Sequence, residues 1–368
     1  MNENQTQKKN VVVALSGGVD SAVAAAVLKE QGYDVRGVYM ENWKKSKLTP
    51  HCTTEEDRRD ALRVALHLGI PFDVVNFEKE YEQRVVDSFY REYAAGRTPN
   101  PDVVCNKEIK FRAFLDRMLA DGADLIATGH YARVVERDGR FQLLKGIDPN
   151  KDQSYFLHTL TQEQLRRTLF PIGGMTKPEV RAKAKKLGLP NADKPDSQGI
   201  CFVGPVNIVN LLKQRIPEHP GPVLTAEGVR VGEHRGLAFY TIGQREGLGI
   251  GGGVPYYVAA KEPKSNTLVV AHGNRDAALY SSVVLAAQPH WIAGRAPSFP
   301  LACTASLRYR QEPLPCVVES DRDTVRLRFG NPQRAVTPGQ SVVFYDDEEC
   351  LGGAVIEGAE RDGYTRAA

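Results

Sequence analysis

Between residues 11 and 128 short β-branched runs alternate with helical patterns, and nothing else in the chain restricts its fold so strongly. The run VVVAL at 11–15 leads through a glycine-rich turn into the apolar helical pattern SAVAAAVLKEQG. A second strand is expected over 35–40, a helix over 55–68, a strand over 72–77 and a helical pattern over 81–95. A helix around 111–120 then precedes a strand beginning at 125–128. Alternation of this kind predicts a parallel sheet with helices on both faces. Thr176, Pro178 and Glu179 mark another helix start, with Thr176 as N-cap and Glu179 completing a capping box, and Gly188 stops it. Past residue 204 the texture changes. Glycine and proline become dense (HPGPV, GLGIGGGVP), YYVAAKEPKSNTLVVAHG reads as a hairpin, and SLRYR, TVRLRFG and SVVFYDDEECLGG predict a small β-barrel or sandwich.

The chain has 368 residues, 42% hydrophobic and 25% charged, an ordinary globular composition that suggests two or three domains. The polar opening MNENQTQKKN has no apolar segment of the signal-peptide kind, and no run is long enough to span a bilayer, so a soluble, cytoplasmic protein without a membrane partner is expected. The six cysteines are Cys52, Cys105, Cys201, Cys303, Cys316 and Cys350. The nearest two are 13 residues apart, so there is no CxxC pair and no zinc-ribbon or iron–sulfur spacing. Net charge is only +3. Residues 166–186 gather Arg166, Arg167, Lys177, Arg181, Lys183, Lys185 and Lys186, a face that could dock phosphates, although taken alone it is more simply a solvated helix face. After Tyr280 there are nine Arg, no Lys and eleven acids, which predicts a few placed contacts and no broad basic surface.

The sharpest local signal is Ala14-Leu15-Ser16-Gly17-Gly18-Val19-Asp20-Ser21, between the first strand and the first helix. Two glycines let the backbone turn tightly with N–H groups facing an anion, Ser16 and Ser21 add hydroxyls, and the helix N-terminus adds its dipole. No GK[ST] follows, so this is not a Walker A loop, and it is not GxGxxG either. A cradle without that lysine suits pyrophosphate as a leaving group, with Asp20 near a magnesium ion.

Two cysteines sit in polar, irregular surroundings: Cys105 in GRTPNPDVVCNKEIKF and Cys201 in DSQGICFVG. Taken singly, each is more simply a buried structural cysteine.

The SGGVDS loop resembles that of the PP-loop ATP pyrophosphatase superfamily, whose members adenylate a carbonyl or carboxylate oxygen. Together with MENW (40–43), GRTPNPDVVCNKEIKF (96–111), ATGHYARV (127–134), NKDQSYFL (150–157), DSQGICFVG (196–204), TIGQREGLGIGG (241–252), RYRQ (308–311) and AVTPGQSVVFY (335–345), it is similar to the bacterial tRNA-specific 2-thiouridylases. The similarity runs in order from about residue 11 to 357. It implies an α/β fold: a PP-loop catalytic domain over 1–205 with a parallel sheet, a small central domain over 206–280 and a C-terminal β-barrel over 281–368. It implies ATP at Ala14, Leu15, Ser16, Gly17, Gly18, Val19, Asp20, Ser21, Met40 and Gly129, with Mg2+ accompanying the nucleotide and no tightly bound metal or iron–sulfur cluster. Cys105 matches the catalytic cysteine and Cys201 the persulfide carrier. Asn100, Pro101 and Asp102 match the loop that holds the target base, with Asp102 able to handle a proton. His130, Lys151, Asp152, Gln153, Arg308, Tyr309 and Gln340 match contacts to the tRNA anticodon stem-loop. The implied reaction is 2-thiolation of the wobble uridine in tRNAs for lysine, glutamate and glutamine, with sulfur from a relay protein fed by a cysteine desulfurase. The segment after Gly253 and the basic loop 44–50 depart from relatives without touching these positions. A PP-loop amidotransferase lacks support in any glutaminase-like motif, and a mere nucleotide-sensing module would not need two thiols.

Overall fold

A computed structural model describes residues 8–43, 54–196, 207–251, 253–321 and 323–360. The first half contributes β1 (Asn10–Ala14), β2 (Asp34–Glu41), β3 (Phe72–Asn76), β4 (Leu125–Ala127), β5 (Ala132–Arg137), β6 (Arg140–Lys145) and β7 (Thr168–Leu169). Five of them form a wholly parallel sheet in the order β3-β2-β1-β4-β7. The chain leaves β1 toward β2 and β3 on one side, and β4 lies on the other. The C-terminal ends of β1 and β4 therefore flank the switch point where ligands of such sheets bind.

Val11, Val12 and Val13 have no exposed surface, as a strand covered on both faces requires. Successive side chains point to opposite faces. Val11, Val13 and Leu15 enter a core with α1 (Val19–Glu30), α2 (Thr54–Leu68) and the helix Lys177–Lys186. Val12 and Ala14 enter a second core with helical residues of 101–120. In α1, Ala22, Ala24, Ala25 and Ala26 are buried, and their small side chains let the helix lie close to the sheet. The expected capping box forms, with Glu179 Oε2 accepting from Thr176 N at 2.7 Å.

The middle of the chain supplies β8 (Gly221–Thr225), β9 (Arg230–His234), β10 (Tyr256–Glu262) and β11 (Thr267–His272), a sheet in the order β10-β11-β8-β9. The hairpin expected over 256–273 is β10–β11. This sheet's core takes in Phe89, Tyr90 and Tyr93 from the helix Asp87–Ala94, so the first domain supplies an aromatic face to the second. The last third forms β12 (Tyr280–Trp291), β13 (Leu301–Ser306), β14 (Leu314–Asp321), β15 (Thr324–Arg334), β16 (Ser341–Asp346) and β17 (Glu349–Glu360). They run β12-β15-β14-β13-β16-β17, and β12 pairs back onto β17. Of the two architectures expected, the barrel is the one adopted.

One feature was not anticipated. β5 and β6 form a hairpin that leaves the first domain and adds to the barrel edge, with Leu143 and Leu144 opposite Cys350 and Glu349. Arg140 and Gln142 clasp Glu349 at 2.5 and 2.7 Å. Its turn, Asp138-Gly139, has φ of 52° and 72°, the positive values that an Asp-Gly hairpin turn takes. No described helix is long and apolar enough to cross a membrane.

Candidate active site

The loop after β1 is organised by its own serines. Ser21 Oγ accepts from Ser16 N at 3.2 Å and donates to Gly18 O at 3.1 Å, while Ser16 is exposed at the loop mouth. Gly17 has φ +80°, and a Cβ there would lie 2.3 Å from Asp57 O. Gly129, just past β4, sits where a Cβ would be 2.6 Å from Ser21 N. Both glycines are therefore required by backbone meeting backbone. Met40, at the end of β2, is buried in the same core as Ala14.

The loop itself lacks a cation, but the fold supplies one. Lys177, the first residue of its helix, places Nζ 2.7 and 2.9 Å from the two oxygens of Asp20 and 2.7 Å from Asp196 Oδ1. Tyr131 OH donates to Asp20 Oδ1 at 2.7 Å, and burial with the Asp20 charge raises its pKa, so it stays a phenol. Asp196 also takes Lys151 at 2.6 Å and Arg181 at 2.7 Å. Burial alone would raise the Asp196 carboxyl, but Lys151 and Lys177 outweigh it and hold it well below the usual carboxylate range. Upstream in the same segment, Asn191 donates to Gly17 O at 2.9 Å and Lys194 bridges Asp57 and Asp60. Residues 191–196 thus wrap the phosphate loop. In the sequence Lys177 is only one of a run of basic residues, and no spacing links it to Asp20. In that stretch Lys177 and Arg181 are tied to Asp20 and Asp196, whereas Lys185 and Arg167 make exposed ion pairs with Asp193 and Glu163 at the surface.

Asn100 N-caps the helix Pro101–Cys105. Its Oδ1 accepts from Asp102 N at 3.1 Å and Val103 N at 3.4 Å, and Pro101 takes the first helical position, where no N–H is needed. Asp102 is half-buried at the helix start, with its carbonyl taking Asn106 Nδ2 at 3.0 Å. Cys105 is wholly buried, in the core that also holds Ala14 and Met40. Directly after it the helix widens to π pitch over Asn106–Phe114, a local irregularity that often accompanies functional sites. Cys201 and Cys52 lie outside the described residues, as does the 44–50 loop.

The remaining positions converge from distant parts of the chain. Thr98 N donates to Pro338 O at 2.8 Å, and Gln340 Nε2 donates to Thr98 O at 2.8 Å, so the barrel pins the segment that leads into the helix Pro101–Cys105. Tyr309 packs against Phe156 with the rings tilted at 45° and 4.3 Å between centroids, and Arg308 beside it is exposed. Lys151 is tied to Asp196, Asp152 accepts from Gly146 N and Ser154 N, and Gln153 Oε1 accepts from Tyr131 N at 3.0 Å. His130 is only 7% exposed, with Nδ1 at 2.7 Å from Thr128 Oγ1 and Nε2 at 3.4 Å from Lys110 Nζ. Burial, then the Lys110 charge, push its pKa well below the ordinary value. Its ring is neutral and packed between Phe111 and Phe170.

A glycine-and-serine loop at the switch point of this parallel sheet, joined to two β domains, defines a PP-loop type enzyme. A family model described as "tRNA methyl transferase HUP domain" matches residues 9–205. Models for a "tRNA methyl transferase PRC-barrel domain" and an "Aminomethyltransferase beta-barrel domain" match 209–272 and 281–356. Relatives match from end to end. The tRNA-specific 2-thiouridylase MnmA of Pseudomonas fluorescens (strain SBW25) is 52% identical over 362 residues, 97% of each chain. That of Stutzerimonas stutzeri (strain A1501) is 53% identical over 359 residues, and that of Pseudomonas paraeruginosa (strain DSM 24068 / PA7) 52%, each covering 96% of both chains. The domain descriptions speak of methyl transfer, but the full-length relatives are thiouridylases, and the full-length match decides. The chain belongs to the tRNA-specific 2-thiouridylase family and is a sulfurtransferase acting on tRNA.

Proposed function

We propose that the chain binds ATP with Mg2+ at residues 14–21, Met40 and Gly129 and adenylates the C2 oxygen of the wobble uridine in tRNAs for lysine, glutamate and glutamine. The uridine oxygen attacks the α-phosphorus and pyrophosphate departs. Adenylation makes AMP the leaving group at a carbonyl that otherwise has none. The terminal sulfur of a Cys201 persulfide attacks C2 and AMP leaves. Cys105 then attacks the Cys201 sulfur, the bond to the transferred sulfur breaks, and its electron pair stays with that sulfur. A Cys105–Cys201 disulfide remains, which an external thiol reductant resets. Asn100, Pro101 and Asp102 hold the base, with Asp102 handling a proton. Lys151 to Gln153, Arg308, Tyr309, Gln340 and the neighbourhood of His130 meet the anticodon stem-loop. Sulfur arrives from a relay protein fed by a cysteine desulfurase, in the cytoplasm. The catalytic, central and barrel domains divide near residues 205 and 280.

The observation that carries this reading is the shared core of Cys105, Ala14 and Met40, which sets the thiol on the sheet face that also supports the nucleotide positions. Asp20 would stand beside Mg2+ as a part-exposed carboxylate; both its oxygens now meet Lys177 Nζ, at 2.7 and 2.9 Å, so the ion would take the place of that ammonium. The ion supplies charge neutralisation for the departing pyrophosphate.

The test is mass spectrometry of digested tRNA from cells lacking the gene, complemented with wild type, Cys105→Ser or Cys201→Ser. Only wild type should restore 2-thiouridine. Restoration by either variant would remove that cysteine from the mechanism.

A further inference from the structure

The mechanism above uses neither Cys303 nor Cys316, yet the barrel places them together. They are register partners on the antiparallel strands β13 and β14, with Sγ atoms 3.8 Å apart. Opposed residues on such strands have Cα atoms about 4.5 or 5.5 Å apart, inside the window of roughly 4.4–6.8 Å that disulfides occupy. Forming the bond needs the sulfurs to close to about 2.05 Å, a movement within reach of side-chain torsions. Cys303 is half-buried, the more exposed of the two, and Cys316 is buried. β13 and β14 are joined by the segment that presents Arg308 and Tyr309, so the pair spans the root of that hairpin.

We propose that Cys303 and Cys316 are an oxidisable dithiol, which a hydroperoxide converts to a cross-strand disulfide beneath the Arg308–Tyr309 hairpin. The Cys303 sulfur attacks the peroxide, the O–O bond breaks, and a sulfenic acid and water result. The Cys316 sulfur then attacks the sulfenic sulfur, the S–O bond breaks, and the hydroxide leaves as water with the Cys316 proton. Two thiols and one hydrogen peroxide thus give one disulfide and two waters. Cys303 is the attacking partner because the Cys316 hydrogen bond favours its thiolate, against burial and the Asp346 charge. Cys350 offers the contrast. It is fully buried, and burial pushes its thiol far up.

The full-length protein is exposed to hydrogen peroxide, unfolded with an alkylating agent and digested with trypsin without reductant. The expected product is peptide 296–308 joined to peptide 311–322, two hydrogens lighter than their sum and separated by dithiothreitol. In Cys316→Ser the expected product is a Cys303 sulfenic acid that dimedone traps. Full alkylation of both cysteines after peroxide, or passage of Cys303 to sulfinic acid with Cys316 still alkylatable, would overturn the proposal.

Discussion

The phosphate loop and the junction around Thr98, the two halves of the proposed site, are built in opposite ways. The loop is a continuous stretch, and its serine hydrogen bonds stay within residues 16–21. The junction joins residues far apart, with Gln340 reaching Thr98 across 242 positions and the Tyr309 ring packed at a tilt against Phe156. In the first, backbone geometry demands particular residue types: glycine where φ is positive or another backbone intrudes, serine where an N–H needs an oxygen. In the second, many residue types would serve, provided two separately folded surfaces meet. Function is therefore expected to fall steeply with small changes in the loop and gradually with changes in the junction.

The largest effect should come from Gly129→Ala. The added methyl meets the backbone of Asp20 and Ser21 at 2.6–2.7 Å, and overpacking of this kind costs about 1–3 kcal/mol or more. Placed wholly on the nucleotide site, that is roughly a tenfold to hundredfold loss of ATP affinity, measurable by calorimetry. Gly122→Ala is the control, since φ is +87° but nothing lies within 4 Å. It should cost about 1 kcal/mol of stability and leave ATP binding unchanged. Equal losses of ATP binding in both variants would break the comparison.

Lys177→Met comes next. It leaves Asp20 and Asp196 facing each other without their shared ammonium, and both are part-exposed, so about 1–3 kcal/mol of stability should be lost at pH 7. The pH dependence follows from Asp196. Its carboxyl is held below 3.8 in the folded chain, so its stabilising contribution is present above that pH and is lost as the pH falls through the folded value. The deficit of the variant should therefore shrink as the pH falls from 5 toward 3 in denaturant titrations. A deficit constant over that range would assign Lys177 a packing role only.

How much was legible follows the same division. The order of strands and helices through residue 128, the β10–β11 hairpin and the capping box at Thr176 rest on local periodicity and turn chemistry, and all are present. The β5–β6 hairpin carried a local signal, Asp138-Gly139 between alternating segments, and was still not anticipated. The pairing of Lys177 with Asp20 had no such signal, because a lysine beginning a helix is ordinary and 157 positions separate it from its partner. The burial of His130 was likewise invisible, since Phe111 and Phe170 enclose it only after the sheet forms.

Lys261 tests the junction through pH. Its ammonium donates to Gly96 O at 3.0 Å, and burial pushes its pKa down to about 8. The folded value lies below the unfolded 10.5, so the charge is penalised in the folded state. The penalty is full below pH 8 and fades as the pH rises toward 10.5. Lys261→Met should be more stable than wild type at pH 7, by an amount on the order of 1–3 kcal/mol that diminishes toward pH 10. A variant less stable than wild type at pH 7 would show that the Gly96 hydrogen bond outweighs the burial of the charge.

The smallest effect is expected from Gln340→Ala, and it separates two roles for this side chain. The amide donates one hydrogen bond to Thr98 O, worth about 1 kcal/mol, so tRNA affinity should fall roughly fivefold while ATP affinity is unchanged. If Gln340 acts by positioning, the amides of Thr98, Asn100, Asp102 and Val103 should exchange faster with deuterium in the variant, because the segment before Cys105 loses its tie to the barrel. If it acts by touching RNA, affinity should fall with no change in exchange. In the unbound chain one N–H of the Gln340 amide is held by Thr98 O, and Gly339 brings the two backbones so close that a Cβ would lie 2.9 Å from Thr98 N, so the exchange measurement decides between the two roles. Thr98 N also donates to Pro338 O, so removal of the glutamine loosens the turn without releasing it. That residual tie is why the junction should yield by degrees where the phosphate loop fails at once.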